Sequence, residues 1–247
     1  MGMKKFIVAS VVVITLAAAS AWAQQGIALW TFNGPADTTA GPYSPDYGSG
    51  QASGYHSGIT FAGTVYSGPS GDNDPAIAAL APPFTSPAGT TPSYSWSANG
   101  WSVNDYWQFE VSTVGYTGIE IGWDQTSSNT GPGQFQLQYS TDDINWNLVG
   151  AAYAVPADAG ANIWTASGSP EPLSTILSEP GTAWDNQSTL YFQLVDASTT
   201  SANGGTVAAA GTDRVDNFTV VGVPEPSTVV LVGAGLVGLL ALRRRRS

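Results

Sequence analysis

Three segments in the middle of the chain alternate between hydrophobic and polar residues. The hydrophobic members are Trp107, Phe109 and Val111 in the first, Ile119, Ile121 and Trp123 in the second, and Phe135, Leu137 and Tyr139 in the third. A period of two indicates a strand with one buried and one solvated face. Because glycine-bearing turns separate the segments, the pattern predicts three successive strands of a meander.

Further hydrophobic runs predict strands elsewhere in the chain. They cover residues 26–32, 59–66, 146–153, 189–196 and 214–222, with a weaker one at 205–210. The stretches 33–58, 67–92 and 156–186 are rich in Gly, Ser and Pro and are predicted to be irregular, with one helical turn at 75–80.

Roughly eight to ten short strands without a long helix predict an all-β fold, a jelly-roll-like antiparallel β-sandwich. The sandwich is expected to span residues 24–222. Its first and last strands are expected to pair, which would place Leu29 and Trp30 near Phe218 and Val220.

The N-terminal residues have the three parts of a secretory signal peptide. Lys4 and Lys5 are followed by an apolar run over residues 6–19 and by the small-residue pattern Ala21-Trp22-Ala23. Residues 1–23 are therefore predicted to be a signal peptide, and cleavage after Ala23 would leave Gln24 as the first residue.

The C-terminal residues also have three parts in a fixed order. Pro224, Glu225 and Pro226 come first, an uncharged apolar run over residues 228–242 follows, and four arginines close the chain: Arg243, Arg244, Arg245 and Arg246. The prolines should end the last strand, since they lack a backbone N–H. The uncharged residues 227–242 are fewer than the roughly 20 of a comfortable transmembrane helix, so a transient membrane anchor is predicted.

This tail, residues 223–247, resembles the PEP-CTERM sorting tail of Gram-negative bacteria. The resemblance implies that the protein is exported, held briefly in the inner membrane by a short transmembrane segment, processed by an exosortase, and released to the cell surface or extracellular matrix. The segments YWQFEV, FQLQYSTD and DRVDNFTV are similar to jelly-roll modules of secreted bacterial proteins, which include carbohydrate-binding and purely structural members.

Charge and composition exclude several functions. Between residues 24 and 223 the only lysine or arginine is Arg214, against seventeen of the chain's eighteen acidic residues. So acidic a body repels nucleic acid, whose phosphates require Lys and Arg. The chain contains no cysteine, which excludes thiol catalysis, disulfides and cysteine metal sites.

The sequence carries no catalytic motif that we can identify, so no catalytic residues are assigned. The single histidine, His56, lies in a predicted loop without a nucleophile motif beside it. Two carboxylate pairs, Asp105 with Glu110 and Glu120 with Asp124, are spaced as expected for the solvated faces of strands rather than for a glycosidase. The protein is therefore predicted not to be an enzyme.

Two kinds of binding site remain candidates. Trp30, Trp107 and Trp123 fall on predicted strands and are expected in the core. The tryptophans in predicted loops beside Asn or Asp are candidates for stacking on sugars: Trp101, Trp164 and Trp184. A structural calcium could use Asp213, Asp216 and Asp37, although no EF-hand spacing supports it.

These observations predict an exported, non-enzymatic surface or extracellular-matrix protein that associates with exopolysaccharide in a biofilm. A protein resembling a carbohydrate-binding module is the alternative, followed by a polysaccharide-active hydrolase or lyase. No cofactor other than the candidate calcium is predicted.

Overall fold

A computed structural model describes residues 24–32, 40–55, 95–158, 173–178 and 181–225. These residues contain thirteen strands. The strands are β1 Gln25–Trp30, β2 Tyr47–Gly48, β3 Gly50–Tyr55, β4 Trp96–Asn99, β5 Tyr106–Val111, β6 Tyr116–Ser128, β7 Gln134–Ser140, β8 Asn147–Leu148, β9 Tyr153–Ala154, β10 Ala157–Asp158, β11 Leu173–Ser178, β12 Leu190–Asp196 and β13 Thr212–Pro224. The predicted signal peptide, the predicted strand at 59–66 and the chain after Glu225 lie outside the described residues.

Sheet A is organised on its two longest strands, β6 and β13, which pair antiparallel over most of their length. Strands β1 and β4 pair with the edge of β13 that faces away from β6, and β2 pairs with β1. On the free side of β6 lie β11, which is antiparallel, and the short parallel strand β10.

Sheet B has the order β3-β5-β12-β7-β8, and β9 also pairs with β7. All of its pairings are antiparallel. Strand β12 is central, and its residues 191–195 each pair with one residue of β5 and one of β7.

Aromatic side chains from both sheets form the core between them. Phe109 of sheet B lies parallel to Phe218 of sheet A, with ring centroids 3.6 Å apart. Trp30 meets both rings edge-on. Trp30, Trp107 and Trp123 are buried, which confirms their predicted place in the core. Such rings bury large apolar areas, so the core can stabilise the sandwich without disulfides.

The structure confirms an all-β, jelly-roll-like antiparallel β-sandwich. It also confirms the pairing of the terminal strands, because Trp30 lies opposite Phe218 and Leu29 opposite Thr219. The last strand ends at the first proline of the tail motif, Pro224, as the missing backbone N–H predicts.

The predicted meander is wrong. Strand β5 belongs to sheet B, β6 to sheet A and β7 to sheet B, so the chain crosses between the layers twice. Alternation within each segment identifies the strands, but it carries no information about which strands pair.

The predicted loops also contain strands. Residues 33–58 hold β2 and β3, and residues 156–186 hold β10 and β11. Strand β3 has the sequence GQASGY, with little hydrophobic content, because only Ala52 faces the core. The predicted strand at 146–153 is reduced to β8 and β9, and residues 205–210 form only an isolated bridge between Thr206 and Thr200.

No helix in the described part of the chain is long and apolar enough to cross a membrane. The tail segment that is predicted to do so lies outside that part.

Candidate functional site

The outer face of sheet B carries a row of polar and aromatic side chains. In β5, Trp107 and Phe109 point into the core, so Tyr106, Gln108 and Glu110 point outward. The same alternation turns Tyr191 and Gln193 of β12 outward, and Gln138 of β7 with them.

Three of these side chains are linked across the strands. Gln193 lies opposite Gln108 on one side and Gln138 on the other. The side-chain amide of Gln138 donates to Gln193 Oε1 at 2.7 Å, and the Gln193 amide donates in turn to Gln108 Oε1. Because each glutamine holds the next, the three amides form one rigid hydrogen-bonded chain across β7, β12 and β5.

The amide chain has free hydrogen-bonding capacity at both ends. In the described part of the chain, no protein group pairs with the Gln108 NH2 group or with Gln138 Oε1. One end therefore offers a donor and the other an acceptor, which is the combination that a sugar hydroxyl can use.

Tyrosines flank the amide chain on both sides. Tyr55 of β3 lies opposite Tyr106 of β5, and their rings stack with centroids 5.4 Å apart and planes 22° from parallel. Tyr55 is 53% exposed. Tyr191 lies on the other side of the chain, opposite Glu110. We call this surface the Gln–Tyr face, made of Tyr55, Tyr106, Gln108, Glu110, Gln138, Tyr191 and Gln193.

Two phenols of the Gln–Tyr face have raised pKa values. Burial raises the pKa of Tyr106, with smaller effects from Asp143 and Tyr55. Burial also raises the pKa of Tyr191, followed by the charges of Glu110 and Asp143. Both hydroxyls are therefore protonated at neutral pH and can donate hydrogen bonds.

The turn after β7 brings Asp143 close to these tyrosines. Asp142 accepts hydrogen bonds from the Asn145 backbone and side chain, from the Ile144 N–H and from the Ser140 hydroxyl. These bonds hold the pKa of Asp142 well below its usual range. They also fix the turn, in which Asp143 adopts a φ of 58°.

A buried polar cluster joins the two sheets inside the core. Asp213 of β13 accepts from Trp107 Nε1 at 2.7 Å, from the Gln125 amide at 3.1 Å and from the Ser127 hydroxyl at 2.9 Å. Gln125 Oε1 in turn accepts from the Tyr153 hydroxyl at 2.8 Å. Burial raises the pKa of Asp213 to about 7, against the lowering effect of its donors. We assign the cluster a structural role, since Asp213, Trp107, Gln125 and Ser127 are buried and Tyr153 is partly buried.

The predicted calcium site is not assembled. Asp213 faces Trp107 in the core, whereas Asp216 lies opposite Asp124 on the other face of β13, so the two cannot share one cation. Asp37 lies outside the described residues. Within the ranges that the structure describes, no three His, Cys, Asp or Glu side chains are arranged to hold a metal ion.

The predicted tryptophan site also needs correction. Trp101 is 5% exposed and packs edge-on against Trp107 and Phe135, while its indole N–H donates to the Ala98 carbonyl. Trp184 is 1% exposed and packs against Phe192. Neither offers a ring face to a sugar, because the turns that carry them fold the indoles into the core. Trp164 lies outside the described residues.

In each pair of carboxylates weighed as catalytic, one member is buried and the other is partly exposed. Asp105 is fully buried and accepts a hydrogen bond from the Ser102 N–H, whereas Glu110 lies on the outer face of sheet B. Glu120 and Asp124 lie on β6, and Asp124 accepts from the Asn217 amide at 2.8 Å. His56 lies outside the described residues.

The sequence contained a signal for the Gln–Tyr face that composition alone did not bring out. The segment QFQLQ of β7 places a glutamine at every outward position, and β5 and β12 each add one glutamine and one tyrosine. The face could not be recognised from the sequence because it requires β12 to lie between β5 and β7, and β12 is distant in sequence from both.

Three of the solved structures to which the chain is similar come from bacteria. The chain resembles the K3 adhesin domain of Lys-gingipain from Porphyromonas gingivalis at 10% identity and a TM-score of 0.33, covering 54% of this chain and 76% of that one. It resembles a CBM35 from Cellvibrio japonicus Abf62 at 15% identity and a TM-score of 0.29, covering 54% of this chain and 76% of that one. The chain is 11% identical to the N-terminal cellulose-binding domain of Cellulomonas fimi β-1,4-glucanase C, with a TM-score of 0.31, covering 56% of this chain and 84% of that one. No curated protein matches the chain.

The C-terminal residues have a defined identity. Residues 222–246 match the PEP-CTERM protein-sorting motif. The motif begins within β13, and the backbone N–H of Glu225 donates to the Gly115 carbonyl at 2.8 Å, so the sheet holds the start of the motif. The motif implies export, membrane-associated sorting and processing by an exosortase. The chain is therefore a jelly-roll-like β-sandwich that carries a PEP-CTERM sorting motif at residues 222–246.

Proposed function

We propose that this protein is a non-enzymatic glycan-binding protein, displayed at the cell surface or in the extracellular matrix after sorting, and that the Gln–Tyr face binds the glycan. The observation that carries the proposal is the Tyr55–Tyr106 stack, of which the Tyr55 ring is exposed and the Tyr106 ring half-buried, beside the hydrogen-bonded amides of Gln138, Gln193 and Gln108. Gln193 and Gln108 are themselves buried, so a glycan reaches the amides at their free ends. Aromatic rings and planar amides on one rigid surface are the groups that contact sugars most effectively.

The two kinds of group have different roles. The stacked tyrosines offer apolar ring surface to the C–H faces of a sugar, and the phenols of Tyr106 and Tyr191 donate to its hydroxyls. The free ends of the amide chain add one donor and one acceptor. Because the glutamines are fixed by one another, little side-chain entropy is lost on binding.

The placement of the carboxylates supports a binding role rather than hydrolysis. Glu110 is the one carboxylate within the Gln–Tyr face, and Asp105, the residue with which it was paired in sequence, is buried. Asp143 lies beside the face, in the turn after β7. A glycosidase requires two carboxyl groups on either side of the scissile bond. We expect no release of reducing ends when the protein is incubated with any polysaccharide that it binds.

The direct test measures binding of the exported protein to a panel of soluble polysaccharides by affinity electrophoresis. The variant Tyr55→Ala should lose about tenfold in affinity, which corresponds to about 1.4 kcal/mol, because half of the exposed stack is removed. The matched control is Tyr47→Ala, which removes a tyrosine of comparable exposure, 42% against 53%, from β2 in sheet A. Equal retention of the wild type and Tyr55→Ala on every bound polysaccharide would contradict the proposal.

A further inference from the structure

The charges around the Gln–Tyr face all have one sign. Glu110 lies within the face. Burial is the main cause of the raised pKa values of Tyr106 and Tyr191, and the charge of Asp143 raises both further, so Asp143 lies close to the two phenols. Asp143 and its neighbour Asp142 are exposed in the turn after β7. A ligand on this face therefore meets the carboxylate of Glu110, with Asp143 and Asp142 beside the face.

No Lys or Arg side chain is placed to balance these charges. Between residues 24 and 223 the sequence holds one such residue, Arg214, which lies in β13 of sheet A opposite Thr126. Arg214 is 3% exposed, so it cannot reach a ligand on the outer face of sheet B. The remaining basic residue in this span is His56, which lies outside the described residues.

The groups that do face the ligand are uncharged donors and acceptors. Amides and phenols can bond to hydroxyl groups in either direction, but they provide no counter-charge for a carboxylate or a sulfate. A negatively charged sugar would be desolvated beside Glu110 without compensation, which is unfavourable.

We infer that the Gln–Tyr face selects uncharged polysaccharides and rejects those that carry carboxylate or sulfate groups. This inference rests on the proposed function and narrows its substrate class. The protein would then bind neutral glycans of an extracellular matrix and leave acidic ones free.

The test compares each bound polymer with its own acidic derivative. A glucan, a galactan and a mannan are tested by affinity electrophoresis at pH 8 and low salt, and whichever is retained is retested after oxidation of its primary hydroxyls to carboxylates. We expect the oxidised polymer to bind at least tenfold more weakly, and 1 M NaCl to restore part of the loss by screening.

A charge variant separates repulsion from the loss of a hydroxyl contact. The double variant Glu110→Gln with Asp143→Asn should recover binding of the oxidised polymer. The control double variant, Glu120→Gln with Asp185→Asn, removes the same amount of charge from residues outside the face and should not recover binding. If the wild type binds the oxidised polymer as tightly as the parent, the inference fails while glycan binding stands. If neither form of any polymer binds, the proposed function fails and the inference with it.

Discussion

Trp107 of sheet B donates its indole N–H to the carboxylate of Asp213 in sheet A, with 2.7 Å between Nε1 and Oδ1. Both side chains are completely buried. The bond ties the two layers of the sandwich together at a position where Trp107 also packs against the rings of Trp96 and Trp101. It therefore makes the stability of the fold depend on the ionisation of one enclosed carboxyl group.

We predict that the protein becomes less stable as the pH rises from about 4 to 8. Burial raises the pKa of Asp213 to about 7 from 3.8, and that of Asp196 to about 6, so the folded state binds more protons than the unfolded state in this range. The stabilising contribution of the protonated carboxyl groups is fully present below pH 3.8 and is lost as the pH rises through their pKa values in the folded state. For Asp213 this contribution to the free energy of unfolding is on the order of 4 kcal/mol. Thermal denaturation measured across this range checks the prediction.

The variant Asp213→Asn isolates the source of this dependence. It removes the titrating group while keeping a carbonyl oxygen for Trp107, so the slope of stability against pH should flatten. The control Asp143→Asn changes an exposed carboxylate and should leave the slope unchanged. A wild-type protein that is more stable at pH 8 than at pH 5 would contradict this assignment.

The glutamine chain should contribute to stability as well as to binding. Replacing Gln193 with Leu leaves Gln108 Oε1 and the Gln138 amide without their shared partner, which should cost about 1 to 3 kcal/mol in the free energy of unfolding. The control Gln134→Leu changes an exposed glutamine at the start of β7 and should cost little. Urea denaturation of the two variants checks this prediction. Equal losses in the free energy of unfolding would contradict a stabilising role for the hydrogen-bonded glutamines.

Gly48 should be intolerant of any side chain. Its φ is +82°, and a Cβ there would lie 1.9 Å from the Ile27 carbonyl oxygen, so Gly48→Ala should cost more than roughly 2 kcal/mol and displace β2. The control Gly204→Ala has a similar φ of +85° with no atom within 4 Å, and should cost only about 1 kcal/mol. Melting temperatures of both variants separate the backbone contact from the conformational cost.

The sorting motif makes a prediction about processing. Replacing Arg243, Arg244, Arg245 and Arg246 with serine removes the cluster expected to stay on the cytoplasmic side of the membrane. We expect the unprocessed precursor to accumulate, measured as the ratio of precursor to shortened product on an immunoblot. Normal processing and normal display of this variant would contradict the role assigned to the arginines.

The sequence was sufficient for the fold class because the strands that build the core are strongly patterned. Alternation located β5, β6 and β7, and hydrophobic runs located β12 and β13. Strands β3 and β11 were missed for different reasons: β3 places only Ala52 in the core, and β11 lies in a stretch whose Pro and Gly content indicates a loop.

The candidate site was beyond prediction because it depends on register. Gln108, Gln138 and Gln193 are separated by up to 85 residues along the chain, and only the order β5-β12-β7 aligns them. Local composition pointed instead to Trp101 and Trp184, whose glycine- and asparagine-bearing surroundings indicated exposed loops. Their indoles are buried because each turn folds back onto the aromatic core.

The central claim is that the Gln–Tyr face contacts a glycan, and a side-chain amide NMR titration tests it most directly. With the neutral polysaccharide that binds best, the NH2 signals of Gln108 and Gln138 should shift, while that of Gln125, buried against Asp213, should not. Shifts confined to residues of sheet A, or no shift with any polysaccharide, would contradict the account.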